Sequence, residues 1–128
     1  MRLVIVRHAE AAEGTPDELR RLTSRGREQA RALGRRLREE GLEPDAVVSS
    51  PLLRARETAT ELGLGAPTID ERLAPGAAPE DVRAVADSYT GTVVVVGHQP
   101  DCGRAAAALG DGTEPAFPPC GHATIELS

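Results

Sequence analysis

The sequence predicts an α/β fold: a single domain over residues 1–128, built as a three-layer αβα sandwich around a mostly parallel central sheet. Short apolar runs rich in β-branched residues, such as Leu3–Val6 and Thr92–Val96, alternate with longer segments of helical periodicity. This alternation is typical of parallel sheets covered by helices on both faces. A chain of 128 residues suits one hydrophobic core, and no internal repeat or linker divides it.

The first half of the chain is predicted to contain two strands and two helices. They are a strand over Leu3–Val6, a loop over residues 9–22, a helix from Thr23 or Ser24 to about Glu40, a strand over Asp45–Ser49 and a second helix from Pro51. Ala30, Leu33 and Leu37 fall on one face of the first helix. Gly41 stands where a glycine ends a helix, and Pro51 stands where proline suits a first helical turn.

The second half continues the alternation. Its predicted elements are a short strand over Pro67–Ile69, a loop over residues 74–79, a helix over Pro79–Tyr89, a strand over Thr92–Val96, a helix over Asp101–Leu109, a loop over Gly110–Pro119 and a strand over Ala123–Leu127. Val82, Val85 and Ala86 recur at helical spacing in the third helix. The last strand alternates in polarity, which predicts a place at the edge of the sheet.

Charge and composition exclude some functions. The net charge is −5 and the pI is about 5.2, which disfavours nucleic acids and anionic membranes as partners. All fifteen basic residues are arginine, so every cationic contact uses a guanidinium, the group that grips phosphate through two parallel hydrogen bonds. Glu57 and Glu61 lie four residues apart on the second helix, and we expect them to face solvent.

The cysteines and the length of the apolar runs indicate the cellular compartment of the protein. Cys102 and Cys120 form no CxxC pair, which indicates free thiols in a reducing compartment. No apolar run approaches the roughly 20 residues of a membrane span. We therefore expect a cytoplasmic monomer without a membrane segment.

Three polar clusters directly follow predicted strands: Arg7-His8, Ser50–Arg54 and Gly97-His98. In open α/β sheets, ligands bind beyond the carboxyl ends of the strands, so we expect these clusters to meet at one edge. Taken singly, such residues are more often helix caps or solvated charges. Together, two arginines and two histidines would repel one another without an anion, and a tetrahedral phosphoryl group suits their donors.

Other kinds of site fit the sequence less well. The arginines would repel a metal ion, and no HxxxH or His/Cys spacing is present, so we expect no metal and no cofactor. The GxSxG turn of serine hydrolases and the GxxxxGK[ST] loop of nucleotide-binding proteins are both absent. A binding site for a phosphoryl group remains the favoured interpretation.

Four segments carry a resemblance to a known family: Val4–Glu10 with its Arg7-His8-Ala9, Arg20–Ala30 as RxLTxxGxxQA, Ser49–Thr58 as SSPxxRAxxT, and Val96–Pro100 as GHxP. In this order they resemble the motifs of the histidine phosphatase superfamily, which includes the phosphoglycerate mutases. The resemblance extends from residue 1 to about residue 104. The short chain, without a large insertion before residue 92, is most similar to the SixA-type phosphohistidine phosphatases.

The resemblance implies a role for each matching residue. His8 is implied as the nucleophile, and Arg7, Arg54 and His98 as the groups that hold the phosphoryl oxygens. Arg20 is implied as a further phosphate contact, although a surface charge explains it equally well. Ala9 replaces the glycine of the family signature, so the backbone there must adopt an ordinary conformation.

Attack by His8 requires a neutral imidazole with one nitrogen free. The other nitrogen is expected to donate to a backbone carbonyl or a polar side chain. An alkyl phosphate would also need a general acid, for which Glu71, Glu10 and Asp101 are the candidates. A phosphohistidine substrate depends less on a general acid, because an imidazole with a reference pKa of about 6.5 leaves far more readily than an alkoxide.

The sequence thus leaves three functions open. The first is a phosphatase acting on phosphohistidine in a protein, such as one of the histidine-phosphotransfer type. The second is a phosphomonoesterase acting on a sugar or nucleotide phosphate. The third is a phosphate-binding module without catalysis, which the retention of His8, Arg7, Arg54 and His98 disfavours.

Overall fold

The computed structural model describes residues 1–128 and contains five strands and four helices. The strands are β1 (Arg2–Arg7), β2 (Ala46–Ser49), β3 (Thr68–Ile69), β4 (Thr92–Gly97) and β5 (His122–Glu126). The helices are α1 (Ser24–Glu39), α2 (Leu53–Leu62), α3 (Pro79–Asp87) and α4 (Asp101–Leu109). Short 3-10 turns lie at Asp17–Leu19 and Glu71–Leu73. The predicted α/β fold class is confirmed.

The five strands form one sheet in the order β3-β2-β4-β1-β5. Four strands run parallel, whereas β5 pairs antiparallel with β1 and forms an edge, as its alternating sequence predicts. β1 and β4 pair over six positions, from Arg2 opposite Thr92 to Arg7 opposite Gly97. Their central residues are buried on both faces, which explains why both strands read as unbroken apolar runs.

Successive side chains of β1 enter two different cores because side chains alternate across a strand. Leu3 and Ile5 pack on the face covered by α3 and α4. Val4 and Val6 pack on the opposite face, against α1 and α2. The molecule is therefore a three-layer αβα sandwich. No helix has the length and apolar character that a membrane crossing requires.

The first loop and the helices depart from the prediction in three local features. Residues 9–22 contain the Asp17–Leu19 turn and a bridge between Ala11 and Leu22, rather than an unstructured loop. The second helix starts at Leu53 instead of Pro51, because the Leu52 amide bonds to the Ser50 hydroxyl in the preceding turn. The third helix ends at Asp87, two residues early.

The expectation that Glu57 faces solvent is wrong. Its side chain is only 11% exposed, and it accepts hydrogen bonds from the Leu22 amide and from the guanidinium groups of Arg21 and Arg27. Glu61, with 17% of its side chain exposed, pairs with Arg27 and Arg31. Both glutamates tie α2 to α1 or to the segment before it, which periodicity on one helix does not reveal.

Candidate active site

The three polar clusters meet at the carboxyl edge of the sheet, as the parallel arrangement predicts. The His8 amide donates to the carbonyl of Gly97 at 3.0 Å, and the Ser50 amide donates to that of Val96 at 3.0 Å. The ring centroids of His8 and His98 lie 5.4 Å apart. Backbone bonds between neighbouring strands thus fix the starting points of all three clusters.

The hydrogen bonds of His8 define its tautomer. Its Nδ1 lies 2.8 Å from the carbonyl oxygen of Ala9, and since a carbonyl oxygen only accepts, Nδ1 carries the proton. Nε2 therefore keeps its lone pair. Burial, which is the largest cause, and the nearby charges of Arg54, Arg7 and Arg20 together lower the pKa of His8 to about 4, although the bond to Ala9 opposes them. The imidazole is neutral at neutral pH and free to act as a nucleophile.

His98 is buried and is oriented by Ser50. Its Nε2 lies 2.7 Å from the Ser50 Oγ, which already accepts a bond from the Leu52 amide at 3.2 Å. If the hydroxyl donates to Nε2, only Nδ1 of His98 stays unpaired. If it accepts, both Nδ1 and the hydroxyl proton stay unpaired. The first arrangement costs less, so the His98 proton resides on Nδ1.

The electrostatics of His98 resemble those of His8. Burial lowers the pKa of His98 to about 4, with further contributions from His8 and Arg54. Because Nδ1 carries the proton in the neutral ring, His98 presents an N–H donor that has no partner in the protein. Such a donor suits an anion's oxygen atom.

Arg7 and Arg54 supply the positive charge. Arg7 donates from Nη1 to the Phe117 carbonyl at 3.0 Å, and Arg54 donates from Nη1 to the Asp17 carbonyl at 2.9 Å. The Nε atoms of both arginines are buried without a partner. Four buried side-chain nitrogens lack a partner, and three of them belong to Arg7, Arg54 and His98. Leaving a buried donor unpaired costs about 1–3 kcal/mol, so this grouping indicates a binding site for oxygen acceptors.

Arg20 belongs to the same region, although it lies on a loop. Its Nε donates to the Ala12 carbonyl at 2.8 Å, and its Nη1 contacts Asp17 Oδ1 at 3.2 Å. Arg20 and Arg54 bond to the two oxygens of the same Asp17 carboxylate, and the charge of Arg20 contributes to the lowered pKa of His8. The structure thus brings Arg20 towards the four residues predicted as the core of the site.

The three candidate acids have other surroundings. Glu10 accepts a bond from the Thr23 hydroxyl at 2.8 Å, and Asp101 accepts bonds from the amides of Gly76 and Ala77 at 2.8 and 3.1 Å. Glu71 is exposed at the start of a 3-10 turn, and its carboxylate makes no hydrogen bond or ion pair. None of the three carboxylates bonds to a residue of the site.

Two positioning residues escape sequence reasoning. Thr58 Oγ1 accepts from the Ala9 amide at 2.9 Å and donates to the Arg54 carbonyl at 2.8 Å, so it joins the segment after His8 to α2. Ser50 orients His98. Both lie in the SSPxxRAxxT stretch, and that motif is the feature of the sequence that could have pointed to them. The φ angle of Ala9 is not positive, which agrees with the ordinary backbone conformation that its side chain requires. Cys120 is the one non-glycine residue with a positive φ.

The cysteines are free thiols, as expected: Cys102 is buried and Cys120 is half-buried. Burial raises their pKa values to about 12 and about 11, which keeps both thiols protonated and unreactive. No cluster of three or more His, Cys, Asp or Glu side chains is arranged to hold a metal ion.

Two neutral imidazoles and three arginines lie together at the carboxyl ends of the parallel strands. This arrangement indicates the class of enzymes that transfer phosphoryl groups through histidine. The chain belongs to the histidine phosphatase superfamily (branch 1), whose family description matches residues 3–75. The sequence-based resemblance is thereby confirmed.

Individual relatives refine this assignment. The structure of the protein histidine phosphatase SixA complexed with tungstate superposes with a TM-score of 0.89 at 28% identity, over 99% of this chain and 88% of that one. An uncharacterized protein of Mycobacterium tuberculosis is 36% identical over 96% of this chain and 87% of its own. The mycobacterial glucosyl-3-phosphoglycerate phosphatase matches with a TM-score of 0.62 at 26% identity, covering 84% of this chain and 78% of its own. The chain is a histidine phosphatase of the SixA type by similarity.

Proposed function

We propose that this phosphatase removes phosphate from phosphohistidine in a protein, through a phosphorylated intermediate on His8. The observation that carries the proposal is the state of His8: Nδ1 is bonded to the Ala9 carbonyl, so Nε2 is free, and the pKa of about 4 keeps the ring neutral. A neutral, fixed imidazole beside unpaired donors meets the needs of a nucleophile in phosphoryl transfer.

The reaction has two steps. In the first, the lone pair of His8 Nε2 forms a bond to phosphorus while the P–N bond of the substrate breaks, with its electron pair left on the departing nitrogen. The other nitrogen of that ring takes a proton from solvent, so the ring leaves as neutral imidazole. In the second, water attacks phosphorus, the Nε2–P bond breaks and its electrons return to Nε2. The proton of the water passes to solvent, and inorganic phosphate is released.

The surrounding groups stabilise the charge that develops on the phosphoryl oxygens. We assign this role to Arg7, Arg54 and the Nδ1–H of His98, with Arg20 as a further contact. Their unpaired donors support the assignment. The proposed steps use only side chains of this chain, and we expect a monomer to carry them out in the cytoplasm.

The proposed substrate follows from the leaving group. No carboxylate bonds to the site residues apart from Asp17, which is paired with Arg54 and Arg20. An alkoxide leaving group would need a strong proton donor, whereas an imidazole with a pKa near 6.5 is protonated by solvent close to neutral pH. The similarity to the protein histidine phosphatase SixA supports the same substrate class.

The second candidate function is a small-molecule phosphomonoesterase, which the similarity to glucosyl-3-phosphoglycerate phosphatase favours. In that case Glu71, the one candidate acid without a hydrogen-bond partner, would serve as the general acid. We expect Glu71→Gln to leave turnover of a phosphohistidine protein unchanged. A large loss of activity on alkyl phosphates in this variant, together with fast wild-type turnover of them, would favour the second function.

The decisive test compares wild type, His8→Ala and His122→Ala. Each variant is mixed with a histidine-phosphorylated protein or with p-nitrophenyl phosphate, and intact mass is measured after rapid quenching. His122, the third histidine, lies on β5 and serves as the matched control. We expect wild type and His122→Ala to release phosphate and to show an acid-labile phosphoryl adduct, and His8→Ala to show neither.

Two outcomes would contradict the proposal. Full activity of His8→Ala would show that another group is the nucleophile. Inactivity of correctly folded wild type on every phosphorylated substrate would leave a phosphate-binding module without catalysis.

A further inference from the structure

Asp17 is the one acidic residue that bonds to the arginines near His8. Its Oδ2 lies 3.2 Å from Nη2 of Arg54, its Oδ1 lies 3.2 Å from Nη1 of Arg20, and its backbone carbonyl accepts from Nη1 of Arg54 at 2.9 Å. The carboxylate therefore bridges two guanidinium groups with its two oxygens. A phosphoryl group also offers negatively charged oxygens, which guanidinium groups bind through the same kind of charge-assisted hydrogen bond.

The side chains of Asp17 and Arg54 differ in how freely they can move. The side chain of Asp17 is 61% exposed, whereas that of Arg54 is only 8% exposed and is held within α2. The carboxylate can rotate into water, but the guanidinium cannot follow it. The bond from Arg54 to the Asp17 backbone does not depend on the carboxylate, so Arg54 keeps that support when the side chain moves away.

The charge of Asp17 is negative at neutral pH. Hydrogen bonds from Arg20 and Arg54 hold the pKa of its carboxyl group below the usual range. An ionised carboxylate has no proton to give a leaving group, so Asp17 does not fill the role of general acid. Its charge also reaches the imidazole of His98, whose pKa it raises against the stronger effect of burial.

We propose that the Asp17 carboxylate competes with the phosphoryl group for Arg54 and Arg20 and thereby weakens the binding of the phosphate product. This inference rests on the proposed function, because it takes the arginines as phosphate ligands. A phosphate dianion that reaches them must displace the carboxylate, and it is repelled by the same charge as it approaches. Inorganic phosphate then leaves readily, and free phosphate in the surroundings occupies the site less.

The test is the binding of inorganic phosphate, measured by isothermal titration calorimetry. Wild type is compared with Asp17→Asn, which keeps the size and an acceptor oxygen but removes the charge. Glu18→Gln is the matched control, because Glu18 is exposed on the same turn, has the same charge and bonds to no residue. We expect Asp17→Asn to bind phosphate roughly three- to fivefold more tightly than wild type at low salt. Glu18→Gln should stay close to wild type.

The salt dependence gives a second readout. The gain in Asp17→Asn should shrink as ionic strength increases, because the carboxylate whose charge is removed is exposed to solvent and its repulsion of phosphate is screened by salt. When Arg54→Ala and Arg20→Ala are both already present, adding Asp17→Asn should no longer tighten phosphate binding, since both shared ligands are then missing.

The outcomes separate this inference from the proposed function. If Asp17→Asn binds phosphate no better than Glu18→Gln while wild type dephosphorylates its substrate, the competition is refuted and the function stands. If Asp17→Asn binds more tightly while wild type turns over no substrate, the competition stands and the function fails. Absence of phosphate binding in every variant would refute the competition, and the function would fall with it only if wild type also turned over no substrate.

Discussion

At the scale of single residues, the second imidazole owes its orientation to a buried hydroxyl group. Ser50 Oγ joins the Leu52 amide to Nε2 of His98, and this arrangement leaves the Nδ1 proton as the free donor. Ser50 is itself completely buried, so no water molecule from bulk solvent readily replaces it. Its effect on catalysis is expected to act through the tautomer of His98.

We predict that Ser50→Ala lowers kcat about 10- to 100-fold, somewhat less than the loss of a direct oxyanion donor. Without the hydroxyl donor, the His98 proton is no longer held on Nδ1. The measurements are kcat and KM on a histidine-phosphorylated protein and the ¹⁵N NMR shifts of His98, which report the tautomer. Ser49→Ala is the control, because Ser49 bonds to the Ser50 carbonyl and not to the imidazole. Equal activity and unchanged His98 shifts in Ser50→Ala would contradict this role.

The convergence of Arg7, His8, Arg54 and His98 could be predicted because each follows a strand of one parallel sheet, and parallel strands end at one edge. The bonds of Ser50 and Asp17 could not be predicted. They depend on the direction in which side chains leave irregular turns, and periodicity carries no information about those directions.

At the scale of elements, α1 is held by a cap at its start and by close contacts along its length. The Thr23 hydroxyl accepts a bond from the Gly26 amide at 2.9 Å, which confirms the predicted cap. Gln29 accepts from the Glu10 amide at 3.0 Å and so anchors the segment that follows His8. Further along, a Cβ at Gly34 would lie 1.9 Å from the Leu62 carbonyl oxygen, so α1 and α2 approach each other through their backbones there.

We predict that Gly34→Ala destabilises the protein by about 1–2 kcal/mol. Overpacking against a backbone atom costs about 1–3 kcal/mol, and the better helix propensity of alanine offsets up to about 1 kcal/mol of it. Urea denaturation gives the free energy of unfolding. Gly14→Ala is the control, because its nearest neighbour would be 3.9 Å away and its stability should change little. Unchanged stability of Gly34→Ala would show that the two helices separate without cost.

The apolar face of α1 could be predicted, and Ala30, Leu33 and Leu37 are indeed buried. The crossing at Gly34 could not, since helical periodicity describes one helix at a time. The burial of Glu57 was missed for the same reason: its partners, Leu22, Arg21 and Arg27, lie outside its own helix.

At the scale of the whole molecule, the fold class could be predicted but the strand order could not. β1, β2 and β4 are all rich in valine, and nothing in their composition says which strand lies at the centre. The alternation in β5 predicted its edge position, but its antiparallel direction depends on the path of the Gly110–Pro119 loop. Order and direction are set by the packing of all connections together.

Several buried or paired groups make stability depend on pH. The pKa values of His8 and His98 are about 4 in the folded protein and about 6.5 in the unfolded chain. Between these values the unfolded chain binds more protons, so protonation favours unfolding. Glu57 adds to the effect at lower pH: burial raises its pKa, but bonds from Leu22, Arg27 and Arg21 lower it on balance.

We predict that the free energy of unfolding falls steadily as pH decreases from about 6.5 to about 4, and continues to fall as the paired carboxylates become protonated. Urea denaturation at several pH values measures it. The double variant His8→Ala/His98→Ala should show a shallower slope between about pH 4 and about pH 6.5. A stability that is constant over this range would contradict the low histidine pKa values.

The ladder between β1 and β4 has a consequence for how the enzyme loses activity. The bond from the His8 amide to the Gly97 carbonyl extends this ladder by one step, so both imidazoles are attached to the ends of the two innermost paired strands. Partial opening of the molecule starts where protection is least, at edges and exposed turns, and the centre of a sheet exchanges its amide protons only in global unfolding. We therefore expect the histidines to separate only when the sheet itself opens, and the His8 amide proton to be protected from exchange by a free energy close to that of global unfolding.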